Sequence, residues 1–218
     1  FDIHMLLNKN IIVTGVGKGL GYDLLKKIVS YEGYVYGVTR SSDDLKKFRK
    51  IKNCKIYVGD VKNKSTFDRI IKQANKDKKN IHGLVNNAGE RQRLKFEKIS
   101  QKKLKDLFDN NFFSIFQCMQ VYSNYIKRKK ISGSVVNISS IVGMHGFSEL
   151  AGYASTKTAL VGLTKSFAVE MSKNNIRANI VSPGFIKTSY FEKFKKKKSL
   201  YDWTLSRIPQ KRWGRTDE

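Results

Sequence analysis

The chain has 218 residues, 40% of them hydrophobic, enough to bury a core, and one domain over residues 1–218 is the expectation. Its 43 Lys and Arg against 18 Asp and Glu give a net charge of +25, an excess that attracts anions in general. The basic residues are spread along the chain and are mostly Lys, whereas reading bases or phosphates favours Arg, so a solvated lysine-rich surface is the favoured account and nucleic-acid binding the minor one. No apolar run approaches the roughly 20 residues of a membrane span. Residues 1–5 lack the basic-then-apolar order of a signal peptide, and the two cysteines, Cys54 and Cys118, lie far apart. The expectation is a cytoplasmic protein with reduced thiols, neither a disulfide framework nor a zinc site.

In chain order, Asn10-Ile11-Ile12-Val13-Thr14 reads as a buried strand, followed at once by Gly15-Val16-Gly17-Lys18-Gly19-Leu20-Gly21. Leu20, Leu24 and Ile28 then recur at helical spacing. Strand, glycine loop and helix start together form a phosphate cradle, because glycines let the backbone approach and the free N–H groups receive the anion; Lys18 adds a charge. The spacing fits neither G-x-G-x-x-G nor a Walker loop. It is Thr-Gly-x-x-x-Gly-x-Gly. A second strand, Tyr34-Val35-Tyr36-Gly37-Val38, ends in Thr39-Arg40-Ser41, where an acid suits the ribose of NAD and an Arg suits the 2′-phosphate of NADP; no acid stands there. A third strand, residues 55–58, leads to Gly59-Asp60-Val61, with Asp60 a candidate helix N-cap. Phe67, Ile70, Ile71 and Ala74 give the next helix an apolar side, and Gly83-Leu84-Val85 enters Asn86-Asn87-Ala88-Gly89. Such alternation predicts a parallel sheet with helices on both faces.

Leu104, Leu107, Phe108, Phe112, Ile115, Phe116 and Met119 form a long apolar helical face with one polar member, Asn111, and the helix ends near Lys127-Arg128-Lys129-Lys130. Residues 134–138 form a strand ending at Ser139-Ser140, which puts the Ser140 hydroxyl at a carboxyl end, where open parallel sheets bind ligands. Tyr153 and Lys157 are i and i+4 on one helix, so they share a face. A free phenol has a pKa of about 10, and a nearby cation favours its phenolate. The helix beyond Tyr153 carries Leu160, Val161, Leu163, Phe167 and Met171, too apolar for a one-sided helix, which predicts packing against a second copy. A strand over residues 176–181 precedes Ser182-Pro183-Gly184-Phe185-Ile186-Lys187-Thr188, and a Lys run occupies 195–198.

Thr14 to Gly21, Asn86-Asn87-Ala88-Gly89, Asn111, Ser140 and Tyr153-xxx-Lys157, in this order, resemble the motifs of the short-chain dehydrogenase/reductases. The resemblance implies a Rossmann-like, doubly wound α/β fold that moves hydride between a nicotinamide and a carbonyl or secondary alcohol, with NADP(H) preferred on the strength of Lys18 and Arg40 and NAD(H) possible. It implies Asn111, Ser140, Tyr153 and Lys157 as the catalytic set, with Asn111 holding a water in a relay through Lys157. Cofactor contacts would come from Thr14, Gly15, Gly17, Lys18, Gly19, Leu20, Gly21, Thr39, Arg40, Asp60, Val61, Asn87, Ala88, Gly89, Pro183, Gly184, Ile186 and Thr188, besides Tyr153 and Lys157. Ile186 and Thr188 would meet the nicotinamide carboxamide and Asp60 and Val61 the adenine; no metal is needed. Residues 190–207 would be a substrate lid, and Trp213-Gly214-Arg215 the start of a last helix, with the family's final strand missing beyond it. Within the family the chain is similar to 3-oxoacyl-carrier-protein reductases, whose acyl carrier partner the basic run 127–130 could greet. Arg91-Gln92-Arg93 looks more like the sugar-acid and polyol reductases. The apolar helix beyond Tyr153 makes a homodimer or homotetramer the expectation.

Overall fold

The computed structural model describes residues 4–188 and 191–218. Six strands form one parallel sheet: β1 (Asn10–Thr14), β2 (Tyr34–Thr39), β3 (Cys54–Val58), β4 (Ile81–Asn86), β5 (Gly133–Ile138) and β6 (Ile176–Val181), in the order β3-β2-β1-β4-β5-β6. This is the doubly wound order, and the direction of winding reverses between β1 and β4.

Side chains alternate across the pleat, so neighbouring residues feed different cores. Ile12, Tyr36, Leu84 and Val135 face one side, where they pack on Phe67 and Ile70 of α3 (Lys64–Lys76), Met119, Tyr122 and Ile126 of α5 (Ser114–Lys129), and Leu160 of α6 (Ala151–Met171). Val13, Val35 and Val85 face the other, against Leu25 and Ile28 of α1 (Gly19–Ser30) and Phe48 of the short α2 (Leu45–Phe48). The expected α/β architecture with helices on both faces is what forms.

The long helix read across Asn111 is interrupted. α4 (Gln101–Phe108) passes through a π-helical turn (Asp109–Phe113) into α5, and that extra residue per turn rotates Asn111 into the interior, where it is fully buried. Two short helices, α7 (Phe191–Lys195) and α8 (Lys198–Arg207), occupy the stretch read as a substrate lid; Tyr190 lies outside the described residues. The last helix expected from Trp213 does not form among the described residues. Instead Gly214 returns beside Ile186, with Lys187 N–H donating to Gly214 O at 2.8 Å and Gly214 N–H to Phe185 O at 2.9 Å. Trp213 is buried and donates Nε1–H to Thr204 Oγ1 at 2.7 Å. Indole burial against α7 and α8 fixes this segment as a strap.

Candidate active site

At the carboxyl ends of the strands, where winding reverses, a groove of about 630 Å³ opens. Gly15 leaves β1 at φ +73° and Gly19 enters α1 at φ +58°, the left-handed region that favours glycine. A β-carbon on Gly21 would run into the Gly15 carbonyl, and one on Gly17 into the Asp44 carboxylate. No side chain caps the first N–H groups of α1 behind Lys18, and that combination of close backbone approach and uncapped donors fits a dinucleotide's phosphates. Thr14 lies behind the loop: its Oγ1 accepts from the N–H groups of Asn87 and Ala88 at 3.0 and 2.9 Å, while Asn87 Nδ2 donates to the carbonyls of Thr14 and Gly15 at 3.0 and 3.2 Å. These four bonds lock the β1 loop to the β4 loop.

Lys18, Leu20, Thr39, Arg40, Asp60, Val61, Ala88, Gly89, Tyr153, Lys157 and Thr188 also border the groove. Asp60 is not the N-cap of α3, which begins behind Asn63; its Oδ1 accepts from Lys62 N–H at 2.9 Å, closing a local turn on the groove wall. The corner at Thr39 does hold an acid, contrary to the sequence reading. Asp44, carried back by a short turn after β2, takes a hydrogen bond from Thr39 Oγ1 at 2.5 Å.

Ser140, Tyr153 and Lys157 come together because the turn after β5 docks on α6. A β-carbon on Gly143 would sit 3.0 Å from the Lys157 carbonyl carbon, and Ser139 Oγ donates to Lys157 O at 2.9 Å. Ser140 Oγ accepts from Val142 N–H at 3.2 Å, which leaves its own hydroxyl proton to donate. The Lys157 ammonium is buried, donates to Ile138 O at 2.8 Å and lies 5.8 Å from the Tyr153 ring centre. Burial pushes its pKa down to about 8, so it is still largely cationic at neutral pH.

Asn111 stands one layer back and borders neither cavity. Its amide donates to Glu90 O at 2.8 Å and Thr156 Oγ1 at 3.2 Å and accepts from Glu90 N–H at 2.7 Å. The side chain clamps the Gly89–Glu90 backbone against α6.

A second cavity of about 580 Å³ shares Leu20, Arg91, Ile138, Ser139, Tyr153 and Thr188 with the groove. Ser140, Tyr153, Pro183, Gly184 and Ile186 border it, and Phe147, Phe185, Phe194, Trp203 and Trp213 supply aromatic walls. Arg93 is paired with Glu149 at 2.6 Å, whereas the Arg91 guanidinium lies over the Phe194 ring at 5.3 Å. The basic run 127–130 is elsewhere: it ends α5 just before β5 starts, at the amino edge of the sheet, about 24 Å of helix from the Asn111 end. It does not border the cavity.

Residues 9–199 match the family model of the short chain dehydrogenases. This chain belongs to that family. It is 30% identical over 209 residues to the 3-oxoacyl-[acyl-carrier-protein] reductase FabG of Buchnera aphidicola, covering 94% of this chain and 84% of the relative. Its identity to the 5-keto-D-gluconate 5-reductase of Escherichia coli is 28% over 222 residues, covering 100% of this chain and 87% of the relative. Among solved structures it superposes on 4-hydroxyisoleucine dehydrogenase complexed with NADH at a TM-score of 0.88 with 28% identity, covering 96% of this chain and 86% of that one. ElxO with NADP bound gives 0.87 and 29%, covering 95% and 86%. As a member, the chain is an NAD(P)-dependent oxidoreductase acting on CH–OH and carbonyl groups. No helix among the described residues is long and apolar enough to cross a membrane.

The sequence motifs pick out the glycine loop and the Ser140, Tyr153 and Lys157 cluster but miss three things. Asp44 lies in the short turn after β2, and Lys47, which donates to it at 2.6 Å, lies in α2, with no strand register to point at them. The π turn depends on a one-residue slip that leaves apolar periodicity nearly unchanged. The aromatic walls come from five separate segments with no common spacing.

Proposed function

We propose that this protein is an NADPH-dependent carbonyl reductase of acyl substrates, resembling the 3-oxoacyl-carrier-protein reductases, with Ser140, Tyr153 and Lys157 as its catalytic residues. The observation that carries the proposal is the meeting of the two cavities at Tyr153, with the Ser140 hydroxyl on the aromatic side and the Lys157 ammonium on the groove side. Bound in the groove, NADPH supplies the hydride. The Ser140 and Tyr153 hydroxyls donate to the carbonyl oxygen, whose charge grows as the carbon is reduced, and preorganised donors at developing charge are usually the largest catalytic contribution. Tyr153 then passes its phenolic proton to the alkoxide oxygen. Lys157 supports the resulting phenolate by its charge. Asn111 acts as a positioning residue, through Glu90 and Thr156. The adenosine 2′-phosphate would be received by Lys18 and Arg40.

Phe147, Phe185 and Trp203, with ring centres 5.9 to 6.4 Å apart, favour a substrate with an apolar chain, free or carrier-bound. A second reading, a sugar-acid or polyol reductase of the gluconate type, is favoured by Arg91, whose charge would suit a carboxylate. A panel of 3-oxoacyl thioesters, keto acids and ketoses, read by NADPH oxidation, separates the two: turnover of thioesters at least tenfold above the sugars supports the acyl reading, and the reverse order overturns it. We also infer a homodimer or homotetramer. Phe113 and Phe116 are 53% and 41% exposed, Val169 on α6 is 79% exposed, and apolar surface of this kind marks interfaces. Light scattering giving a monomer at micromolar concentration would contradict it.

A further inference from the structure

The Thr39 corner contains an ion pair that the family motifs do not include. Asp44 Oδ1 accepts from Lys47 Nζ at 2.6 Å, Oδ2 accepts from Thr39 Oγ1 at 2.5 Å, and the same Lys47 ammonium donates to Gly17 O at 2.8 Å. The Asp44 side chain is only 17% exposed and borders the groove beside Lys18, Arg40 and Ser41. Burial pushes its carboxyl up, but hydrogen bonds from Lys47 and Thr39 and the charges of Lys47 and Lys18 outweigh burial and hold it below the ordinary carboxylate range. At neutral pH the corner therefore holds a fixed anion between the glycine loop and the end of β2. Thr39, which has no carboxylate of its own, is the residue that orients it.

Resting on the dinucleotide reading above, we propose that Asp44 is a specificity-determining residue for the adenosine end of the cofactor, and that Lys47 sets its strength. The carboxylate accepts from a ribose hydroxyl and repels a 2′-phosphate, so it opposes the attraction that Lys18 and Arg40 exert on NADPH. Lys47 neutralises most of that repulsion while tying the carboxylate to the glycine loop. The two residues then move discrimination in opposite directions. Removing the anion sharpens the preference for a 2′-phosphate, because only cations remain. Removing Lys47 leaves the anion uncompensated and blunts the preference. A merely structural role, holding the loop at Gly17, would weaken every adenosine ligand alike.

Calorimetric binding of adenosine 2′,5′-bisphosphate and of 5′-AMP tests this without turnover. Asp44→Asn, nearly isosteric, should raise the ratio of bisphosphate to AMP affinity about tenfold, and Lys47→Met should lower it by a similar factor. Both shifts should shrink in 0.5 M salt, where the screening length falls to about 4 Å. Should Asp44→Asn fail to fold, Lys47→Met at its half-exposed position still reads the sign. An unchanged ratio in both variants, or parallel weakening of the two probes, overturns the proposal. A parent protein that binds neither probe overturns the dinucleotide reading itself, and the proposal with it.

Discussion

The groove and the aromatic cavity share Tyr153, but they are built from different materials. Backbone makes the phosphate end of the groove: close-packed glycines, uncapped N–H groups at the start of α1, and the Thr14–Asn87 bonds that lock two loops together. Side chains make the cavity. Phe147 follows β5, Phe185 follows β6, Trp203 comes from α8 and Trp213 from the strap, and they meet edge to face or tilted at 5.3 to 6.4 Å. A backbone site tolerates little change and serves one ligand class. A side-chain site can be refilled without disturbing the sheet, which is why relatives of nearly equal identity can differ in substrate.

If that division holds, changes in the shared catalytic cluster should be the most costly and changes in the cavity wall should stay local. Lys157→Met should abolish turnover, and it should also alter stability. The Lys157 pKa is about 8 in the fold against 10.5 for a free lysine. Below pH 8 both states are protonated and the burial penalty is present in full. Between about pH 8 and 10.5 the folded state loses its proton first, the penalty is relieved, and stability rises with pH. At about 1.4 kcal/mol per pH unit this amounts to at most about 3 kcal/mol. Urea unfolding across this range should show the rise in the parent and its absence in Lys157→Met; equal slopes would remove the buried cation from the account.

Trp203→Ala should have a smaller and separable effect. Removing an aromatic wall should raise KM for a long-chain thioester about tenfold, roughly the 1.4 kcal/mol expected for partial loss of aromatic contact. The dissociation constant for NADPH should stay within about twofold of the parent. Parallel loss in both would mean that the two cavities are mechanically one.

The same contrast explains how much could be read from the sequence. β1 falls on the expected bounds because its apolar run defines a buried strand, and β6 does so because Ile176, Ala178 and Ile180 alternate with Arg177 and Asn179 along a half-buried edge strand. The glycine loop, Asn87, Tyr153 and Lys157 are legible for a related reason: backbone constraint and i, i+4 geometry are local. β4 begins two residues earlier than expected, at Ile81, because His82 interrupts the apolar run; its Nδ1 accepts from Asn10 N–H at 3.1 Å, a pairing that only the assembled sheet supplies. Asn111 is legible as a special residue, but its partners are not, since Glu90 and Thr156 reach it through a π turn and a different helix. The Asp44–Lys47 pair and the aromatic cavity depend on tertiary return of short segments and leave no periodic trace.

The central claim is that Tyr153 delivers the proton at the junction of groove and cavity. Stopped-flow NADPH oxidation with an accepted carbonyl substrate, comparing the parent with Tyr153→Phe, tests it most directly. Loss of a positioned general acid costs about 10²- to 10⁴-fold in rate; we expect a loss in that range, with NADPH affinity measured by fluorescence within about threefold of the parent because the ring remains. A Tyr153→Phe rate within a few-fold of the parent would contradict the account.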